Sequence, residues 1–213
     1  MIEIIQYSNE EFESQFVQML EEAYCEVQAL LENVPDRLQI KFTDNGGSDI
    51  TGVGGFAFSR DQIHLAVLRS FHDRDLQKKN LRSAFFHESF HVQQGFTYAN
   101  SSFTALDAVI YEGSAIKFER DYGKNNAVYS DYSAYSEEQL KQWLEEISAV
   151  GTEYFEREET WRKWAFYHPE YDEKWIVYKV GSFVLDSVLA ASGMDIIDFR
   201  NKSASEILEF ARL

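Results

Sequence analysis

The chain has 213 residues, 45% of them apolar and 15% aromatic, including 17 Phe and 12 Tyr. That composition excludes a disordered chain, and the length suffices for one domain, 1–213, with its own core. With 36 acidic residues against 20 basic ones the net charge is −16, which argues against nucleic acid or an anionic membrane surface as the partner.

The single cysteine, Cys25, permits no internal disulfide and reads as a buried or half-buried spectator beside Tyr24. The opening "MIEIIQYSNEEF" has no basic start followed by an apolar run. No stretch approaches the roughly 20 apolar residues that span a bilayer. The expectation is a soluble, cytoplasmic protein.

Residues 2–6, "IEIIQ", read as a first strand. From Asn9 to Asn33 apolar residues recur at helical spacing, through Phe12, Phe16, Leu20, Ala23, Val27 and Leu31. Ser8 or Asn9 can cap that helix, and Pro35 follows its end. "RLQIKFTD" (37–44) alternates like a strand. "NGGSDITGVGG" (45–55) holds five of the 11 glycines and reads as a turned loop; no Lys-Ser/Thr helix follows, so it is not a phosphate cradle. "VGGFAFS" and "DQIHLAVL" then form two strands around Ser59–Arg60. Helices are expected near 73–95, 102–121, 137–166, 171–192 and 203–212, with Pro169 breaking the last long pair. The expected class is α+β: a small antiparallel or mixed N-terminal sheet followed by a mainly helical part.

The chemistry concentrates in "FFHESFHVQQG" (85–95). On a helix His87 and His91, four apart, lie one above the other and aim two imidazoles at one spot. Glu88 is rotated by about 100° and can reach a water on a metal without ligating it. Two ligands and a base on one helix are the physical content of His-Glu-x-x-His. The motif face Ala84–His87–Glu88–His91–Gly95 carries no bulky apolar group, which leaves room for an ion and a second helix.

A hydrolytic zinc takes three protein ligands and keeps one position open. Glu112, 21 positions after His91, is available as a third ligand, with a solvated helix glutamate as the alternative. It shares a helix face with Ala105, Ala108, Val109, Ala115 and Ile116, and an unpartnered carboxylate among such neighbours is costly. Glu119, seven residues on, either holds a ligand histidine from behind or forms a surface ion pair. The strand "GGFAFSRDQIHLAVL" precedes the motif helix, and an extended peptide could add to its edge.

The segments "ITGVGGFAFSRDQIHLAV", "HESFH", "YEGSA" and "YKVGSFVL" occur in the order seen in a bacterial family of predicted zinc-dependent proteases, long catalogued as a domain of unknown function. The chain resembles that family over roughly residues 50–212, while "FHDRDLQKKN" (71–80) does not align with its pattern. The resemblance implies a zincin-like fold of the gluzincin type, with zinc held by His87, His91 and Glu112 and with Glu88 as general base. It implies hydrolysis of a peptide or protein substrate.

A tetrahedral oxyanion needs a donor besides the metal. Tyr178 in "YKVGSF" is the first candidate, with a core aromatic as its alternative, and His168 in "FYHPEY" the second, with a plain loop residue before Pro169 as its alternative. His64 and His72 read as structural or exposed. Trp143, Trp161, Trp164 and Trp175, with Phe155, Phe166 and Tyr167, read as core before substrate groove. Two other functions are compatible with the same motif: a metallohydrolase acting on a non-peptide, and a metal- or partner-binding module without turnover.

Overall fold

The computed structural model describes residues 1–6, 10–43, 46–100, 102–151 and 158–211. Ser8, Asn9, Asp44, Asn45, Phe155, Arg212 and the 152–157 stretch of the expected 137–166 helix lie outside the described residues. The class is α+β, with a small mixed sheet near the N-terminus and helices after it. The chain divides into two compact units: 1–99 with 118–125, and 100–117 with 126–213. No helix among the described residues is long and apolar enough to cross a membrane.

The first unit is built on a four-stranded sheet of β1 (Ile2–Gln6), β2 (Leu38–Thr43), β3 (Val53–Ser59) and β4 (Gln62–Val67), in the order β1-β2-β4-β3. β1 and β4 both run parallel to β2, and β3 runs antiparallel to β4. Leu38, Ile40 and Phe42 point into the core and alternate with Gln39, Lys41 and Thr43, so the period of two that marks β2 in the sequence is its burial pattern too. Helix α2 (Arg74–Gln94) packs on β3 and β4, and α1 (Glu10–Leu30) packs on α2. Phe16, Leu20, Ala23 and Val27 form the inward stripe of α1. Cys25 is exposed, not buried or half-buried as expected: it sits about 100° past Tyr24, on the far side of that stripe. Phe86 and Phe90 pack against Phe118, with ring centroids 5.6 Å and 4.8 Å apart.

Helix α3 (Ala105–Asp121) is one continuous helix; its last turn belongs to the first unit and the rest to the second. The second unit also holds α4 (Glu137–Val150), α5 (Glu158–Ala165), a two-residue hairpin of β5 (Tyr167–His168) and β6 (Glu173–Lys174), α6 (Ile176–Ser192) and the short α7 (Ala204–Leu208). Two backbones meet here without side chains between them. A Cβ on Gly113 of α3 would sit 2.4 Å from the Gly181 carbonyl oxygen, and one on Gly181 of α6 would sit 2.5 Å from that of Val109. Only glycine fits on both sides of that crossing. α6 starts at Ile176, five residues later than the sequence suggests, because Asp172 and Trp175 take positive φ and the hairpin comes first. α4 ends at Gly151, also at positive φ. Trp143 and Trp164 are buried, as the core reading expects, whereas Phe166 and Tyr167 are exposed.

Candidate metal centre

Helix α2 has both ends fixed. The Asp73 side chain accepts the Leu76 N–H at 2.9 Å, and Gly95, at φ 72°, donates its own N–H to the carbonyls of His91 and Val92. Between these caps every residue from Phe85 to Gln93 is buried. Glu88 and the two histidines are thereby withdrawn from water.

The imidazoles converge. Nε2 of His91 and Nε2 of His87 are 3.0 Å apart. The other nitrogen of His87, Nδ1, is 3.1 Å from Oε2 of Glu119, and Glu119 Oε1 accepts the Ser83 hydroxyl at 2.6 Å. An ionised carboxylate only accepts, so Nδ1 carries the proton and Nε2 of His87 presents a lone pair toward His91. All four side chains are buried. Of the two readings open for Glu119, the structure takes the first: it holds a histidine and is no surface ion pair. The Phe96 ring, 4.9 Å from that of His91, steadies the second imidazole.

Glu88 points to the sheet. Its Oε2 accepts the Ala57 N–H of β3 at 2.8 Å. It fits because residue 55 is glycine: a Cβ there would lie 3.2 Å from Glu88 Cγ and 3.3 Å from Oε1. The loop leading into β3 is tied to α2 by the charged segment 71–80, at the start of the helix. Gln77, fully buried, donates to the carbonyls of Gly52 and Leu68 at 2.8 Å each, and Asn80 donates to Thr51 O at 2.8 Å.

Glu112 lies on α3 in the second unit, buried beside Ala108, Val109, Ala115 and Ile116. Seven residues separate it from Glu119, so the two carboxylates project from nearly the same face, about 10 Å apart along the axis. His87, His91 and Glu112 make up a buried group that could hold a metal ion. The donor set fits zinc: two imidazole nitrogens and one carboxylate oxygen, with one imidazole backed by a second carboxylate.

Tyr178 is a half-buried residue of α6 in the second unit, edge-on to the Tyr129 ring at 5.2 Å. It precedes Gly181 of the helix crossing by one turn, just as Glu112 adjoins Gly113. His168 is buried on β5, with its ring 4.4 Å from Trp164 and 4.5 Å from Tyr171. His64 is half-buried on β4, and His72 is exposed.

Sequence reasoning missed Ser83 and Gly55. Ser83 is four residues before His87 and shares its face, so spacing alone could have raised it. A glycine inside a strand marks a close approach, which is what Gly55 provides.

Fold and site define the class first: an α+β protein with a buried His–His–Glu group that could bind metal. The chain belongs to the family described as predicted Zn-dependent protease (DUF2268), whose model matches residues 6–209. No curated protein and no solved structure matches the chain.

Proposed function

We propose that this chain is a zinc metallopeptidase with a gluzincin-like ligand set, acting on a peptide or protein. One observation carries the reading: a buried imidazole pair with Nε2 atoms 3.0 Å apart, whose first member is held from behind by Glu119. The family description points the same way. His87, His91 and Glu112 would hold the ion. Zinc in such a set supplies Lewis acidity toward a carbonyl and acidifies a water.

The remaining work falls to the chain's own groups. Glu88, steered by the Ala57 N–H, takes a proton from the attacking water on its carboxylate and delivers it to the leaving amine. Ala57 turns its N–H and C=O away from β4, and Gly55, two residues earlier, therefore does the same. That edge can bond an extended peptide beside Glu88. Tyr178 is the proposed donor to the oxyanion, since it and Glu112 flank the same backbone crossing.

Metal analysis and peptide cleavage test the reading together. Wild type is expected to carry a single zinc that His87→Ala loses. The zinc-loaded wild type is expected to cut a mixed peptide library that zinc-loaded Glu88→Gln leaves intact. A wild type that binds no zinc overturns the proposal. Zinc binding without cleavage of any peptide removes the peptide as substrate.

A further inference from the structure

The side chains of β3 alternate between two faces. Val53 and Ala57 are buried toward α2, and the bare Cα of Gly55 lies against Glu88 on that same face. Phe56 and Phe58 point the other way. Phe56 pairs across the ladder with His64, with ring centroids 4.6 Å apart, and Phe58 stacks on the same imidazole at 4.9 Å and 8°. Tyr98 completes the group, 5.9 Å from each phenylalanine ring. Phe56 is 42% exposed and Tyr98 73% exposed. Large aromatic rings left in water together call for an occupant.

The strand edge says what that occupant is. At Ala57 and Phe58 the carbonyls already accept the N–H groups of Tyr98 and Ala99, and at Val53 the carbonyl accepts that of Ser48. Gly55 lies between these closed stretches, and its outward N–H and C=O have no partner among the described residues. A peptide bonded to Gly55 has one residue on the Glu88 face and its two neighbours on the aromatic face. One neighbour would stand opposite Gly54, where the Gly46 carbonyl oxygen already occupies the face, 2.3 Å from where a Cβ would be. The other would stand opposite Phe56, beside Tyr98.

We propose that Phe56, Phe58, His64 and Tyr98 form a specificity subsite that takes a large apolar or aromatic side chain of an extended peptide bound at Gly55, one residue away from the position facing Glu88. The subsite rests on the peptidase reading, and the test separates the two. Libraries of heptapeptides with each position fixed in turn as Phe, Leu or Ala are offered to the zinc-loaded full chain. Their fluorescein-labelled forms are titrated into zinc-loaded Glu88→Gln by anisotropy.

Phe or Leu is expected to exceed Ala at one position by about tenfold in kcat/KM and in affinity. Phe56→Ser and Tyr98→Ser, both at exposed positions, are each expected to shrink that ratio severalfold in either assay, at a wild-type Tm. Cleavage whose preference neither substitution moves overturns the subsite and leaves the peptidase standing. No cleavage, with Phe-selective binding that Phe56→Ser weakens, upholds the subsite and overturns the peptidase. No Phe-over-Ala difference in either assay overturns the subsite.

Discussion

Glu119 changes what one histidine can do. By accepting the Nδ1 proton of His87 it fixes the ring and its tautomer, and Ser83 in turn fixes Glu119. Partners of this kind govern metal affinity. Glu119→Gln is expected to weaken zinc binding by about 10- to 100-fold, read by competition with a chelator, and Ser83→Ala to weaken it less. Unchanged affinity in both would assign the pair to packing alone. On the proposed reading Glu88 would act on the reaction and not on the ion. Glu88→Gln is expected to lower kcat/KM by about 10²- to 10⁴-fold with zinc content unchanged. His168 belongs to a different kind of environment. Burial first, and the Lys163 charge second, push its pKa below the usual histidine value, and neither ring nitrogen has a hydrogen-bond partner among the described residues. The unfolded chain therefore binds the extra proton, so this contribution to stability is present above about pH 6.5 and is lost as the pH falls below it. Tm measured between about pH 7 and 5 is expected to fall less steeply in His168→Phe than in wild type. Parallel slopes would contradict that.

At the scale of elements, the two glycines of the α3–α6 crossing make the sharpest prediction. Alanine at Gly113 or Gly181 puts a methyl within 2.4–2.5 Å of a backbone oxygen, which a helix can relieve only by moving away. Each substitution is expected to cost about 2 kcal/mol or more, read as a lower midpoint in urea. A midpoint within error of wild type would mean that the helices separate at no cost. The elements differ in how clearly the sequence announces them. β2 alternates cleanly, and α2 is bounded by Asp73 and Gly95, so both are legible to within a residue or two. The β5–β6 hairpin has two residues per strand, too few for any period to register. It displaced the start of α6, and Trp175 at φ 61° carries no sequence signature of a left-handed residue. Cys25 was misplaced because two adjacent helix positions differ by about 100°, and only the packed stripe decides which one faces in.

For the whole molecule, the metal is the largest expected contributor that can be added or removed. A ligand that binds only the folded chain stabilises it by about 2.7 kcal/mol when present at 100 times its Kd. A chelator is expected to lower Tm, and zinc to restore it in wild type but not in His87→Ala. The candidate centre was largely legible because its logic is local: a four-residue spacing sets His87 over His91, and a seven-residue spacing sets Glu112 over Glu119. What spacing could not show was the sheet's part. The Ala57 N–H that orients Glu88 and the glycine that admits it come from a strand more than 30 residues away, joined by tertiary packing alone. The most direct test of the centre is zinc K-edge X-ray absorption of the stoichiometric complex. The account predicts two imidazoles at about 2.0–2.1 Å with only oxygen completing the shell at about 2.0–2.2 Å, and one imidazole fewer in His91→Ala. A shell with fewer than two imidazoles in wild type, or one containing sulfur, would contradict it.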